Sequence, residues 1–426
     1  MKICSIGLGY IGLPTSIMFA SYGVDVVGVD IKADAVNMLN NGRIHIKEPG
    51  LEEALNKVID SGRFRAQLTP EKADAFIISV PTPNNEDMYK SCDLTNVLDA
   101  TEEIIPFLEE GNVVIVESTI APRSLDDYVK PELEKAGFTI GKDIFLVHCP
   151  ERVLPGKILH ELIYNNRIIG GITPECTEKG AAIYDIFVEG ELIKTDARTA
   201  EMSKLMENTY RDVNIGLANE LAKVCNELDI DVLEVIKMAN KHPRVNLHTP
   251  GPGVGGHCLA VDPYFIIAEA PEEARMIRLA REINQSMPEY VVSATQKLLS
   301  NQFKKKVTVF GLTYKGNVDD IRESPAMYIY EELNKMPEYD VVAYDPYVNL
   351  SFVEKNLEKA LTDSSLVLIL SDHDQFKKLT SEHFNKMQNA QVFDTKNVVE
   401  ETANVIQYIN FGSLYKYMKE AMINVS

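Results

Sequence analysis

The sequence predicts an α/β protein built from two doubly wound parallel-sheet units with a helical segment between them. Three observations carry this. Short apolar runs alternate with amphipathic helical patterns from the N-terminus to about residue 195, the signature of βαβ units. A stretch of helical periodicity follows. Strand-like runs then resume at Val307. A chain of 426 residues also exceeds what one hydrophobic core usually serves.

In chain order, Lys2–Ile6, Val24–Val29, Ala75–Val80, Val113–Glu117 and Ile144–Val147 read as strands. They are nearly continuous apolar runs, as strands covered on both faces must be. A long helix is expected from Thr199 to Leu228. Along it Met202, Leu205, Met206, Thr209, Val213, Leu217, Leu221, Val224 and Leu228 recur at helical spacing, a stripe expected to be buried. A second helix is expected at Val232–Lys241, then a Gly/Pro-rich loop over 250–257, then one long helix from Glu272 to Leu299. Such a middle region can present a face to a second subunit. Further strands are expected at Val307–Phe310, Val341–Tyr344, Leu366–Leu370 and Gln391–Phe393. The division expected is therefore 1–195, 196–300 and 301–426.

The net charge of −20 disfavours sequence-independent binding to nucleic acid or an anionic membrane. It leaves room for a local basic pocket. No apolar run approaches the roughly 18 residues of a membrane span. The apolar N-terminus is broken by Gly7, Gly9, Gly12 and Pro14, so no signal peptide is expected. The cysteines Cys4, Cys92, Cys149, Cys176, Cys225 and Cys258 form neither a CxxC pair nor a cluster with zinc spacing. No metal site is expected, and thiols in a reducing cytoplasm are the simplest account.

The first strand runs straight into Gly7-Leu-Gly9-Tyr-Ile-Gly12, a helix pattern follows, and the second strand ends at Asp30. This is GxGxxG in its required setting, which makes the first unit Rossmann-like. Gly7 permits the turn, Gly9 lets backbone approach a pyrophosphate, and Gly12 allows close helix–strand packing. The helix N-terminus offers free N–H groups. Asp30 can accept from both ribose hydroxyls and would repel a 2′-phosphate, which favours NAD over NADP. Val80-Pro-Thr82-Pro closes the third apolar run, either as a ligand edge at a strand's carboxyl end or as a stiffened turn.

Lys204 and Asn208, four apart, share a helix face. Lys204 lies among apolar neighbours and either snorkels to solvent or occupies a pocket. Cys258 follows Gly255-Gly256-His257. The glycines remove bulk before a thiol that is either reactive or an inert buried cysteine. Asp262 precedes Pro263, an N-cap arrangement compatible with a catalytic role. His257 beside Cys258 is not a metal pair, because adjacent side chains rarely converge on one atom.

Together the stretches GLGYIGLP, VPTP, ESTIAP, CPERVLPG, AEMSKLMENTYRDVNI, HPRVNLHTPGPGVGGHCLAVDP and FGLTYKGNVDDIRESPA resemble the UDP-glucose/GDP-mannose dehydrogenase family over essentially the whole chain. The resemblance implies an NAD domain, a helical dimerisation domain and a C-terminal nucleotide-sugar domain. It implies four-electron oxidation of a UDP-sugar C6 alcohol to the acid, in a cytoplasmic homodimer or dimer-based oligomer serving polysaccharide biosynthesis. Cys258 would be the nucleophile and Lys204 the acid/base and oxyanion-stabilising group, assisted by Asn208. Glu151 and Asp262 would be candidates for activating water. Arg152, Val153, Lys204, Asn208, Arg211, His242, Arg244, Gly255, Tyr314, Lys315 and Lys396 would line the substrate, with the HPR segment supplied by the neighbouring subunit. Gly7, Gly9, Tyr10, Ile11, Gly12, Asp30, Thr82, Thr119 and Arg322 would hold NAD.

Within the family, HPRV followed by GGHCLAVD is most similar to the branch acting on UDP-N-acetyl-D-mannosamine. The UDP-glucose branch usually differs at His257 and carries Lys where this chain has Val261. The UDP-N-acetylglucosamine branch usually has Pro in place of Ala260. Two rival readings are a two-electron β-hydroxyacid dehydrogenase, which leaves GGHC and the second α/β unit without a use, and a non-catalytic NAD-binding protein, which would be free to lose Lys204, Asn208 and Cys258.

Overall fold

A computed structural model describes residues 1–154, 156–302, 305–388, 390–399 and 407–423. The chain forms two compact units, Met1–Glu207 with Tyr264–Glu273, and Asn208–Pro263 with Ala274–Ser426.

The first unit holds an eight-stranded sheet of β1 (Lys2–Ile6), β2 (Asp25–Val29), β3 (Phe64–Gln67), β4 (Ala75–Ile78), β5 (Val113–Val116), β6 (Phe145–His148), β7 (Arg167–Gly171) and β8 (Leu192–Asp196). Their order is 3-2-1-4-5-6-7-8. All neighbours are parallel except β6 and β7. Ile3 lies between Val26 of β2 and Ala75 of β4. The chain winds outward from β1 to β3, then returns to β4 on the other side of β1, so the switch point of the sheet lies between β1 and β4. Successive residues of β5 serve opposite cores: Val113 and Ile115 one, Val114 and Val116 the other. That explains the continuous apolar runs. Strands β3, β7 and β8 had no such signal. β3 alternates buried and open residues, β7 opens on Arg167 and closes on two glycines, and β8 is largely exposed.

The second unit holds a six-stranded, wholly parallel sheet: β9 (Lys306–Phe310), β10 (Asp340–Tyr344), β11 (Val353–Glu354), β12 (Leu366–Ile369), β13 (Gln391–Asp394) and β14 (Gln407–Asn410). The order is 11-10-9-12-13-14. One face packs Leu366 and Leu368 against Ala222, Val232 and Ile236 of the helical segment. The other buries Val367 and Ile369 with Phe376 and Phe384.

Two helical expectations need correction. The single helix over Glu272–Leu299 is two helices, Arg275–Gln285 and Met287–Leu298. Pro288 sits in the first turn of the second, where its missing N–H is harmless; inside one continuous helix it would clash with the preceding turn. The long helix is Ala197–Glu227, but its stripe is not buried within the chain. Leu205 and Thr209 are buried, whereas Met202, Met206, Leu217, Val224 and Leu228 are between 36% and 61% exposed. The buried face instead carries small and polar residues, among them Asn208, Asp212, Ala218, Asn219 and Ala222.

Candidate functional site

In the first unit, β1 delivers the chain to Gly7 at φ +90°, a left-handed conformation that a side chain would strain. A Cβ there would also lie 2.5 Å from the Ser79 carbonyl oxygen, and one on Gly12 would lie 1.9 Å from the Gly7 carbonyl oxygen. Both glycines are therefore required by packing. Gly9 is different: a Cβ on it would meet nothing within 4 Å. Its open side leaves room for a ligand to approach the backbone. The helix Gly12–Ser21 that follows has no side chain capping its N-terminus, which leaves its first N–H groups for an anion. Tyr10 is exposed beside this turn, next to Ile11 at the N-cap.

Asp30 stands just past β2 and ties the nucleotide end together. Its Oδ2 accepts from Leu8 N at 3.1 Å and its Oδ1 from Lys32 N at 2.9 Å. Beside the switch point, Thr82 Oγ1 donates to the Thr119 carbonyl at 2.6 Å, joining the loops after β4 and β5. An uncapped helix end, an open glycine and an acidic strand tip fit a dinucleotide.

At the carboxyl ends of β4 to β6 and the amino end of the antiparallel β7 lies a buried charge cluster. Arg167 is 4% exposed. Its Nη1 is 3.3 Å from Glu117 Oε1, and its Nη2 pairs with Glu151 Oε2. Its guanidinium also lies 4.5 Å from the Tyr184 ring centre. Glu117 further accepts from Tyr184 OH at 2.7 Å and from Ser79 Oγ at 2.8 Å. Burial pushes the Glu117 carboxyl above its ordinary range, against the pull of Arg167. Glu151 Oε1 accepts from Arg152 N at 2.6 Å, so both Glu151 oxygens are engaged. Arg152 reaches Glu207 at 2.7 Å and the Asn166 carbonyl, while Val153 packs on the core.

Lys204 is half-buried on the long helix. Its charge is felt by His148, fully buried at the end of β6. Neither ring nitrogen of His148 has a hydrogen-bond partner among the described residues. Burial first, then Lys204, brings its pKa down to about 3, so it is neutral. Arg167, Glu117, Tyr184 and His148 were not anticipated as site residues; only Glu117 lies in a stretch the sequence reading had singled out.

In the second unit, Cys258 is half-buried on a turn. Its carbonyl accepts from Val261 N at 3.0 Å and Asp262 N at 2.8 Å, and the helix Asp262–Glu269 begins there. Asn208 Nδ2 donates to Asp262 Oδ2 at 2.6 Å. Asn208, Cys258 and Asp262 are thus brought together. The preceding glycines, expected to remove bulk before the thiol, are required by packing. A Cβ on Gly255 would lie 2.3 Å from the Glu323 carbonyl oxygen, and one on Gly256 2.7 Å from the Tyr314 ring. They let the loop seat on the segment after β9.

Tyr314 is therefore part of this assembly, with Lys315 exposed beside it. Lys396, half-buried after β13, has Nζ 3.9 Å from where a Gly251 Cβ would stand. Arg322 grips Asp320 through Nε at 2.9 Å and Nη2 at 2.6 Å, with Nη2 also 3.2 Å from His257 Nδ1. Arg211, His242 and Arg244 are exposed. The last two lie on a turn where Arg244 N donates to His242 Nδ1 at 3.3 Å.

Three family models match the chain. They are the NAD binding domain of the UDP-glucose/GDP-mannose dehydrogenase family over residues 1–188, its central domain over 198–286 and its UDP binding domain over 308–401. A solved structure of the UDP-N-acetyl-mannosamine dehydrogenase Cap5O from Staphylococcus aureus superposes with TM-score 0.93 at 62% identity, covering 98% of this chain and all of that one. A UDP-N-acetyl-D-mannosamine dehydrogenase of Methanococcus maripaludis is 48% identical over 408 residues, 94% of this chain and 93% of its own. An NDP-N-acetyl-D-galactosaminuronic acid dehydrogenase of Ralstonia nicotianae is 46% identical over 410 residues, 93% of this chain and 96% of its own. The cofactor of the glycine turn is accordingly NAD, and the chain belongs to the UDP-glucose/GDP-mannose dehydrogenase family.

Proposed function

We propose that this chain oxidises the C6 alcohol of UDP-N-acetyl-D-mannosamine to the carboxylate, with Cys258 as covalent nucleophile. The observation that carries the mechanism is the cluster of Cys258, Asp262 and Asn208, in which the thiol's turn is joined to a helix-borne amide through a 2.6 Å hydrogen bond. The substrate rests on HPRV and GGHCLAVD and on the names of the relatives above.

NAD, held by Gly7, Gly9, Tyr10, Ile11, Gly12, Asp30, Thr82, Thr119 and Arg322, supplies a hydride acceptor for each of two oxidations. The chain's own residues do the rest. The Cys258 sulfur adds to the C6 aldehyde, and the thiohemiacetal so formed still carries a hydrogen to lose. Its oxidised form is a thioester, which water cleaves to the acid and the free thiol. Lys204 takes the alcohol proton and stabilises the oxyanion, a preorganised charge of the kind that often dominates catalysis. Asp262, beside the thiol, is the better of the two candidates for water activation. Glu151 has one oxygen on Arg167 and the other on a backbone N–H.

Arg152, Val153, Arg211, His242, Arg244, Gly255, Tyr314, Lys315 and Lys396 line the sugar nucleotide, His242 and Arg244 serving the neighbouring subunit. The exposed apolar residues Met206, Leu217, Val224 and Leu228 support a homodimer formed on the long helix. The division 1–195, 196–300 and 301–426 follows from that role for the middle segment. Six free cysteines support a cytoplasmic setting, and among the described residues no helix is long and apolar enough to cross a membrane.

The test is NADH yield on a panel of UDP-sugars. Two NADH per UDP-N-acetylmannosamine, well above the rates with UDP-N-acetylglucosamine, the N-acetylgalactosamine series and UDP-glucose, is expected. One NADH per substrate would replace this reading with a two-electron dehydrogenase.

A further inference from the structure

The long helix Ala197–Glu227 and the helix Arg275–Gln285 cross closely in the second unit. A Cβ on Gly216 would stand 3.1 Å from that of Ala280. This approach brings Asp212 and Arg281 into register. The pair is almost solvent-free, 0% and 3% exposed at the side chains, with Nη1 2.6 Å from Oδ1. Asn284 Nδ2 donates to the same Asp212 at both Oδ1, 2.8 Å, and the carbonyl, 2.9 Å. Asn284 Oδ1 in turn accepts from Asn219 Nδ2 at 2.8 Å.

Two contacts of the network reach the loop that carries Cys258. Asn219 Oδ1 accepts from Gly251 N at 2.9 Å. Arg281 Nη1 lies 3.5 Å from the Leu259 carbonyl, one residue past the thiol. The loop is thus held on either side of Cys258 by groups rooted in two packed helices. A buried ion pair is a poor source of stability, because apolar residues of similar volume commonly do as well. Placement is what such a pair adds.

We propose that the Asp212–Arg281 pair, with Asn219 and Asn284, is the mount that fixes the Cys258 sulfur, and that Arg281 is a positioning residue for the nucleophile. The inference rests on the reading of Cys258 above. Misplacing a reacting group by about 1 Å costs on the order of 100-fold in rate, so a small release of this loop has a large effect.

The test uses the full-length enzyme and three variants: Arg281→Lys, the double replacement Asp212→Leu/Arg281→Met, and Cys258→Ala as reference. Thermal midpoint, kcat, KM for NAD and the rate of Cys258 alkylation by iodoacetamide are measured, the last by peptide mass spectrometry without substrate. The double variant is expected to fold with a midpoint near the wild type and to lose about 10- to 100-fold in kcat. Its KM for NAD should stay within about two-fold and its alkylation rate should shift several-fold, while Arg281→Lys recovers part of both losses. A folded double variant with kcat and alkylation rate both at wild-type values overturns the proposal. Should the double variant fail to fold, Arg281→Lys decides alone, and wild-type values in it overturn the mount equally. Full activity in Cys258→Ala would instead overturn the covalent mechanism, and the alkylation rates would still report on the mount.

Discussion

Replacing Arg167 with methionine keeps most of the side-chain volume and removes the positive charge paired with both Glu117 and Glu151 in the cluster described above. Each lost attraction is large in gross terms: at 3.3 Å and an effective dielectric constant of about 20, it is roughly 5 kcal/mol. Desolvation already offsets much of that in the wild type, so the net loss expected is about 3–5 kcal/mol, the usual cost of stripping one partner from a buried pair. For a unit of this size each kcal/mol moves the midpoint by about 2–4 °C, giving a fall of roughly 6–20 °C. The pH dependence carries a second signature. Burial holds the Glu117 carboxyl above its ordinary range, and Arg167 is the largest of the influences pulling it down, ahead of the Tyr184 and Ser79 hydrogen bonds. The folded state therefore binds more protons than the unfolded one, and Glu117 takes stability away as pH rises through that window. Without Arg167 the folded value climbs further. The deficit of the variant should widen as pH rises above the ordinary carboxylate range and narrow on acidification. Calorimetry as a function of pH checks both. Adding Glu117→Gln, which keeps partners for Tyr184 and Ser79, should restore part of the loss. A midpoint within about 2 °C of wild type at neutral pH, or a deficit that ignores pH, would refute the charge argument.

Asp30→Ala should weaken NAD binding and narrow the preference over NADP, read by titrating both; a wild type that prefers NADP would contradict the role given to this strand tip. Cys258→Ala should lose acid formation almost wholly while still binding NAD, and Cys258→Ser should accumulate a slowly hydrolysing ester visible by intact mass, since an alkoxide is harder to form and its ester a poorer acyl donor. Normal uronic acid production by the Ala variant would sink the covalent route. Mixing inactive Arg244→Ala with inactive Cys258→Ala subunits should restore some activity through hybrid dimers; no recovery despite proven exchange would count against sharing of the site.

What could be read from the sequence was what depends on neighbours in the chain. Gly7, Gly12 and Asp30 state their roles within one βαβ unit, and the geometry adds only that the first two are also demanded by close backbone contact. The parallel sheets were legible because strands buried on both faces must be apolar throughout. β8 escaped notice because it is largely exposed. Gly255 and Gly256 show the limit of local inference. Their smallness was read as removing bulk before the thiol, and the space it leaves is taken by Tyr314 and the Glu323 backbone, which no local pattern announces. The stripe on the long helix failed for a related reason. Its periodicity is real, but most of it stays exposed among the described residues. Arg167 meets Glu117 across 50 residues and Tyr184 meets Glu117 across 67, distances over which residue type alone carries no pairing information.

Each unit buries an arginine with carboxylate company next to a proposed catalytic residue: Arg167 beside Glu151 in the first, Arg281 one residue from Cys258 in the second. Neither is explained by stability, since desolvating such pairs costs about what their attraction returns. What they share is position. Arg167 collects groups from the ends of β4, β5 and β6, where the loops carrying the proposed NAD contacts Thr82 and Thr119 begin. Arg281 and its neighbours grip the loop that carries the thiol. An apolar core can hold a helix or a sheet, but a loop of glycines and prolines offers few side chains to pack. Directional hydrogen bonds to its backbone are the remaining means of fixing it, and they need buried polar side chains that are themselves held. The ion pairs are best understood as anchors for those donors and acceptors. Replacing all the charged partners of either cluster together, rather than one alone, should therefore be tolerated by the fold and felt by the chemistry, an asymmetry that separates positioning from packing in both units.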